Sequence, residues 1–382
     1  MSDLARSDAS AFAEWRRTVD WPSLTACAVL LGLGLLLSLA AGPAATERYG
    51  ISDPFYFSKR HAAIALVSGL GILALSTLSA TWARRLGVAV FAAGFAGLVL
   101  VFLMGHNVGG AKRWLLFAGQ TVQPSEFVKP GLAIVAAWLL SQREDYPQTP
   151  WTWIAFGLFA GCLAGLLVQP DIGMSVLLTA GFLTAFFVSG LSLKWAAGLL
   201  GGGSVLAGLV YLTIPYVRFR VNSFLWPDAN DTYQVGLAID AIERGGLWGV
   251  GPGEGRIKTS LPDAHSDFIY AVAAEEYGFI AALIIISLIG FITLRGLQLA
   301  QDTPTSFQRS AASALFTLFG LQAAINIGVN MQVLPPTGMT LPFVSHGGTS
   351  MLSTALTLGL AFALERRHRV KAYRWRSAYG TA

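Results

Sequence analysis

The chain has 382 residues, 54% of them hydrophobic and only 12% charged, with a net charge of +5 and a mean hydropathy of +0.57. A soluble domain carries roughly 25% charged residues, so this composition excludes a soluble globular fold. The two cysteines, Cys27 and Cys162, both fall in apolar runs, which excludes a disulfide framework and leaves them as small buried side chains.

Apolar runs close to the ~20 residues needed to cross a bilayer recur along the whole chain. They predict an all-α polytopic membrane protein with about ten transmembrane helices, at 22–42, 61–80, 86–104, 125–141, 151–168, 171–189, 194–214, 266–294, 310–331 and 347–364. Residues 1–21 read as a cytoplasmic N-terminal segment, 22–365 as one ten-helix membrane domain and 366–382 as a basic cytoplasmic tail. The first run follows EWRR and has no cleavage signal after it, so it reads as a retained helix. With the N-terminus inside, fifteen Lys and Arg residues face the cytoplasm and eleven the outside. That bias, with an even number of spans, predicts both termini in the cytoplasm. The tail ERRHRVKAYRWR also suits contact with anionic lipid.

The eleven outer cations are informative because the positive-inside tendency works against them. After the third span, GGAKRWLLFAGQTVQPSEFVK sets Lys112 and Arg113 beside Trp114, a pattern suited to a lipid-linked phosphate, although an interfacial Trp alone is ordinary. Glu126 and Lys129 are spaced i,i+3 and can pair on one helix face. Asp171, at another outer helix start, reads as a cap. Between helices 7 and 8 runs a long extracytoplasmic loop, 215–265, which begins with Arg218 and Arg220 and ends in a glycine-rich run carrying Arg244, Arg256 and Lys258. Its middle has Val235, Ala238, Ile239 and Ile242 at the spacing of an amphipathic helix.

PDAHSDFIYAVAAEEYG follows. Here a helix starting near His265 would carry Asp267 in its first turn, on the face of Ala271, Ala274 and Gly278, leaving room for a ligand over small residues. A first-turn aspartate can also serve the helix dipole alone. Glu275 and Glu276, two turns deeper, are ionisable residues inside a span, where they are costly and usually paired or functional. Before the last span, LPPTGMTLPFVSHGGTSML combines three prolines with three glycines, which predicts a broken outer loop buried in protein or lining a wet cavity. Ser345, His346, Thr349 and Ser350 give it hydrogen-bonding groups without charge. His265 and His346 are histidines without close metal-ligand spacing, so no dedicated metal site is expected.

Taken in order, GAKRWL (110–115), QPSEFVK (123–129), QPDIGMSVLL (169–178), GGLWGVGPGEGRIK (245–258), LPDAHSDFIYAVAAEEYG (261–278) and PPTGMTLPFVSHGGTSML (335–352) resemble the SEDS family of bacterial cell-wall proteins. PDAH, with Ala264 before His265, and DPFYFSKR at 53–60 are most similar to division-type rather than elongation-type members. The resemblance implies a peptidoglycan glycosyltransferase that polymerises lipid II into a growing glycan strand on the outer face of the bacterial cytoplasmic membrane. It also implies a class B penicillin-binding protein and other division-machinery membrane proteins as partners, at the division site, with no nucleic acid. The family's essential aspartate matches Asp267. His346 departs from the family, which usually has Tyr there.

The chemistry agrees with the residues. Glycosyl transfer needs a base for the acceptor hydroxyl and cations for a pyrophosphate leaving group. Asp267 fits the first; Lys112, Arg113, Lys129, Arg218 and Arg220 are candidates for the second, with Trp114, His265, Ser345 and His346 as further substrate contacts. A divalent ion, Mg or Mn, could arrive with the pyrophosphate and need no protein cage. A lipid flippase would instead need charges across the whole membrane, whereas these gather at the outer edge; a pure scaffold would need neither Asp267 nor the basic loops.

Overall fold

The computed structural model describes residues 11–108, 111–117, 119–226 and 233–366, so the expected basic tail lies outside the described residues from 367 onward. Every one of the ten apolar segments is helical. In chain order the elements are α1 (Ala11–Thr18), α2 (Trp21–Arg48), α3 (Tyr56–Ser76), α4 (Ala80–Met104), β1 (His106–Val108), β2 (Ala111–Phe117), β3 (Gln120–Val122), α5 (Pro124–Asp145), α6 (Trp151–Val168), α7 (Ile172–Val188), α8 (Leu193–Thr213), α9 (Pro215–Leu225), α10 (Tyr233–Gly245), α11 (Ile257–Ser260), α12 (Ile269–Gln301), α13 (Ser306–Asn330) and α14 (Gly348–Glu365).

Six helices, α2, α3, α4, α6, α12 and α13, are long and apolar enough to cross a membrane, with a seventh if α8 and α9, bent by 100° between them, make one span. α7 is apolar but shorter. α5 and α14 are too polar to qualify on composition, and the reason is their surroundings. Other helices enclose nearly all of both, so Ser125, Glu126, Lys129, Ser353, Thr354 and Thr357 meet protein instead of lipid. α13 is the central helix, packed against α5, α7, α12 and α14.

Three departures from a plain helical bundle matter for the site. The connection after α4 is a small antiparallel sheet in the order β1-β2-β3, with Asn107 opposite Lys112 and Leu115 opposite Val122. The outer loop after α9 contains α10, whose Val235, Ala238, Ala241 and Gly245 are buried against α12, as the amphipathic spacing anticipates.

α12 is the other departure. At 33 residues and 1.5 Å per residue it would run about 50 Å, far more than the ~30 Å of a hydrocarbon core. It breaks at Gly278, whose φ of 76° and ψ of −177° are non-helical. The stretch 279–301 alone is long enough to span, at about 35 Å, and 269–277 is a separate piece before the break. Glu275 and Glu276 stand in that piece, buried in protein. Backbone groups freed by the break must be satisfied within the protein, and the glycine-rich loop does this. Val250 N–H donates to Glu275 O (2.9 Å), Gly251 N–H to Glu276 O (3.0 Å), and Phe279 N–H to Gly246 O (2.9 Å).

Gly278 has both a left-handed φ and no room, since a Cβ there would collide with the Leu247 carbonyl oxygen and the Gly249 nitrogen. Gly278→Ala should therefore cost at least the ~1–3 kcal/mol of backbone strain, lowering the melting temperature of the purified protein by several degrees. Gly290→Ala in the same helix, where a Cβ meets nothing within 4 Å, should leave it unchanged or raised.

Candidate functional site

Asp267 does not stand in the first turn of a helix. Residues 262–268 form a turn, α12 begins at Ile269, and Asp263 takes a left-handed φ of 53°. The turn closes on itself through Ser266 N–H to Asp263 O (3.0 Å) and Phe268 N–H to Asp263 O (3.3 Å). The stripe of Ala271, Ala274 and Gly278 is also not open space beneath the carboxylate: both alanines are buried, and Gly245 at the end of α10 packs directly on Ala274.

The turn is held from α13 instead. Asn326 Nδ2 and Asn330 Nδ2 both donate to the main-chain oxygen of Asp267, at 2.8 and 3.0 Å. Asn330 Oδ1 accepts from Ala271 N–H at 3.2 Å, so a side chain of another helix satisfies a first-turn amide of α12. The same N–H also reaches Phe268 O at 3.1 Å. Its side chain is half-buried and faces the broken loop before α14: a Cβ built at Gly338 would lie 3.8 Å from Asp267 Oδ2.

The second half of that loop is buried in protein, with Leu341, Phe343, Val344 and Ser345 all enclosed, while Pro335, Pro336 and Thr337 are half-buried and Gly338 is exposed. Asn326 Nδ2 also donates to Met339 O (2.6 Å), Gln322 Nε2 to Thr340 O (3.1 Å), and Ser345 Oγ to Ser266 O (2.6 Å). His346 N–H reaches His265 O at 2.9 Å. Ser345 and His346 thus hold the loop to the turn carrying Asp267.

The imidazoles of His265, His346 and His61 neighbour one another in a tilted row, with centroids 5.7 Å apart for the first pair and 6.0 Å for the second, and the Phe57 ring centroid lies 4.6 Å from that of His265. Burial pushes His265 below its ordinary range, partly opposed by Asp263. Burial, and then the neighbouring His265, His61 and Arg60, push His346 down to about 3.

The cations divide sharply. Lys112, on β2, is exposed. Arg113, on the same strand, is engaged in the fold: Nε donates to Gln169 O at 3.1 Å, Nη2 donates to Pro170 O, and Asp171 Oδ2 lies 3.9 Å away. Asp171 caps α7 by accepting from Met174 N–H (3.3 Å) and also accepts from Gln123 Nε2 (3.2 Å). Burial raises its carboxyl and Arg113 opposes the rise. Trp114 is half-buried on β2, opposite His106. Lys129 is not an outer-edge cation: it and Glu126 are each only 4% exposed, paired at 2.8 Å, and Lys129 Nζ also donates to Gln322 Oε1 at 2.9 Å.

Arg218 is exposed on α9, which packs on α8. Arg220 is on the same helix, and its side chain lies outside the described residues. Lys258 pairs with Glu276 Oε1, while Glu276 Oε2 accepts from Gly253 N–H (2.9 Å). Glu275 Oε1 accepts from Arg256 N–H (2.9 Å) and Ile257 N–H (3.1 Å), with Arg244 Nη1 3.7 Å away. Glu275 and Glu276 therefore organise the glycine-rich loop.

Sequence reasoning missed Gln322, Asn326 and Asn330. Their signal was present, since three amides at i, i+4 and i+8 in an apolar span form one polar stripe on one helix face.

Fold and site together define a multi-pass membrane protein with a carboxylate-bearing turn at one end of its bundle. The family model described as "Cell cycle protein", covering FtsW, RodA and SpoVE, matches residues 22–370. A protein of Caulobacter vibrioides named as a probable peptidoglycan glycosyltransferase FtsW is 45% identical over 366 residues, 95% of this chain and 93% of that one. Its counterpart in Allochromatium vinosum is 35% identical over 361 residues, covering 91% and 90%. Among solved structures, a chain of a peptidoglycan synthase complex that coordinates polymerisation and crosslinking superposes with a TM-score of 0.74 at 28% identity, covering 92% of this chain and 98% of that one. The rod shape determining protein RodA of Thermus thermophilus gives 0.67 at 27%, covering 92% and 97%. The chain belongs to the FtsW, RodA and SpoVE family, the SEDS proteins.

The neutral His346 sets a pH dependence. Its folded-state value is about 3, against 6.5 unfolded, so below pH 6.5 the unfolded chain binds the proton that the folded chain refuses. Stability contributed here is present above pH 6.5 and is lost as pH falls. His346→Tyr cannot take up this proton, so the fall in melting temperature between pH 7 and pH 5 should be smaller in the variant than in the parent.

Proposed function

We propose that this chain is the glycan polymerase of septal cell-wall synthesis, a peptidoglycan glycosyltransferase acting on lipid II, with Asp267 as its catalytic base. The observation that carries the reading is the turn at 262–268, which presents a half-buried carboxylate to a broken loop while amide donors of another helix hold its main chain. In the reaction, Asp267 removes the proton from the acceptor sugar hydroxyl. That oxygen attacks the anomeric carbon of the donor, and the bond to the pyrophosphate oxygen breaks. An α-linked donor then yields a β-linked product by one displacement with inversion, for which a single base suffices.

Cations near the leaving group stabilise the charge that develops on the pyrophosphate. Lys112 is the first candidate, because it is exposed on β2 while Arg113 and Lys129 are engaged elsewhere. Arg218 and Arg220 on α9 can contribute only by approaching the turn. Among the described residues no three His, Cys, Asp or Glu side chains converge as metal ligands. A Mg or Mn ion could arrive with the substrate pyrophosphate.

The working orientation puts the Asp267 turn, the small sheet and the 215–265 loop outside the cell membrane and both termini inside, at the division site. The partner is a class B penicillin-binding protein that cross-links the product. A relative that superposes on this chain works within such a synthase complex.

The test is Asp267→Asn, assayed on fluorescent lipid II by glycan length on a gel. General base catalysis is worth ~10²–10⁴-fold, so polymerisation should fall at least that far while expression, insertion and partner association survive. Normal glycan chains from Asp267→Asn would move the base elsewhere.

A further inference from the structure

Asp267 lies in the turn 262–268, outside any helix. Its own peptide is held from α13. One main-chain oxygen takes two amide donors, Asn326 Nδ2 at 2.8 Å and Asn330 Nδ2 at 3.0 Å, which occupies both lone pairs of that carbonyl and fixes its plane. Asn330 continues into the next turn by accepting from Ala271 N–H. Asn326 reaches the opposite wall by donating to Met339 O at 2.6 Å, one residue beyond Gly338, where a Cβ would lie 3.8 Å from Asp267 Oδ2. A single amide thus spans both sides of the site. The two asparagines are 1% and 0% exposed, and burying an amide is costly unless every group is bonded. They bond each other as well, Asn330 Nδ2 to Asn326 O at 2.9 Å, which couples the two contacts.

We propose that Asn326 and Asn330 are positioning residues for Asp267, setting the separation between its carboxylate and the loop 337–341 against which the acceptor sugar is activated. Neither touches the reacting atoms. A simple interhelical glue would spread its bonds over neighbouring side chains; here the donors converge on one peptide and on the loop facing it. The inference rests on Asp267 being the base.

The experiment is a double-mutant cycle on the full-length protein purified with its penicillin-binding partner, with lipid II turnover counted per monodisperse molecule. Misplacement by about an ångström can cost ~10²-fold. Asn326→Ala and Asn330→Ala should each lower kcat by about 10–100-fold with KM changed less than about threefold. In an Asp267→Glu background, where the carboxylate is already displaced, the same substitutions should cost less than about threefold. Equal losses in both backgrounds, or a rise in KM at unchanged kcat, would overturn the proposal and leave the Asp267 reading intact. If neither single variant can be recovered folded, the asparagines are scaffold and the proposal also fails. Full activity of Asp267→Asn, run alongside, would instead remove the base reading itself.

Discussion

Inside a bilayer a backbone that leaves helical geometry has no water to satisfy it, and each orphaned amide or carbonyl costs several kcal/mol. Everything distinctive in this structure answers that constraint. The chain departs from helix at the turn carrying Asp267, in the loop before α14 and at Gly278, and each departure is met by named protein groups. Amides of α13 serve the first two, and the loop 246–251 serves the third. Irregular backbone lets the chain place a carboxylate where a straight helix would have hidden it against a neighbour. The polar stripe on α13 makes that irregularity affordable.

Charge follows the same logic. Of the outer cations that looked available for a phosphate, Arg113, Lys129 and Lys258 are committed to Asp171, Glu126 and Glu276 or to nearby carbonyls. Lone charges this close to the hydrocarbon are costly, and pairing reduces the cost. Lys112 is left with an exposed side chain on a rigid strand. A cation offered to a substrate differs physically from a cation that holds a turn, and only packing separates them.

The sequence was most legible where the signal was local. Ten apolar runs became ten helices, the amphipathic spacing of 233–245 faced α12 as expected, and Glu126 met Lys129 at its i,i+3 distance. Asp267 was identifiable from its motif, but its helix begins after it, because the left-handed Asp263 closes a turn that propensity does not announce. The short strands at 106–122 were invisible because a few residues carry too little alternation to stand out beside long apolar runs. The break after Glu275 and Glu276 was not legible, since nothing local distinguishes a glycine that breaks a span from one that merely packs in it. The asparagine stripe was present in the sequence, and attention to charge obscured it, since amides carry none.

The Gly278 break has a consequence for how the molecule comes into being. The partners of Glu275 and Glu276 in the glycine-rich loop lie only 18–23 residues earlier in the chain. As α12 emerges during synthesis, the groups that repair its break have already been made, and that corner can assemble at once. The peptide of Asp267 must wait for donors 59 and 63 residues further on. A nascent chain can therefore close the loop around the Gly278 break first, and it acquires the amide contacts to the Asp267 peptide only after α13 has been made.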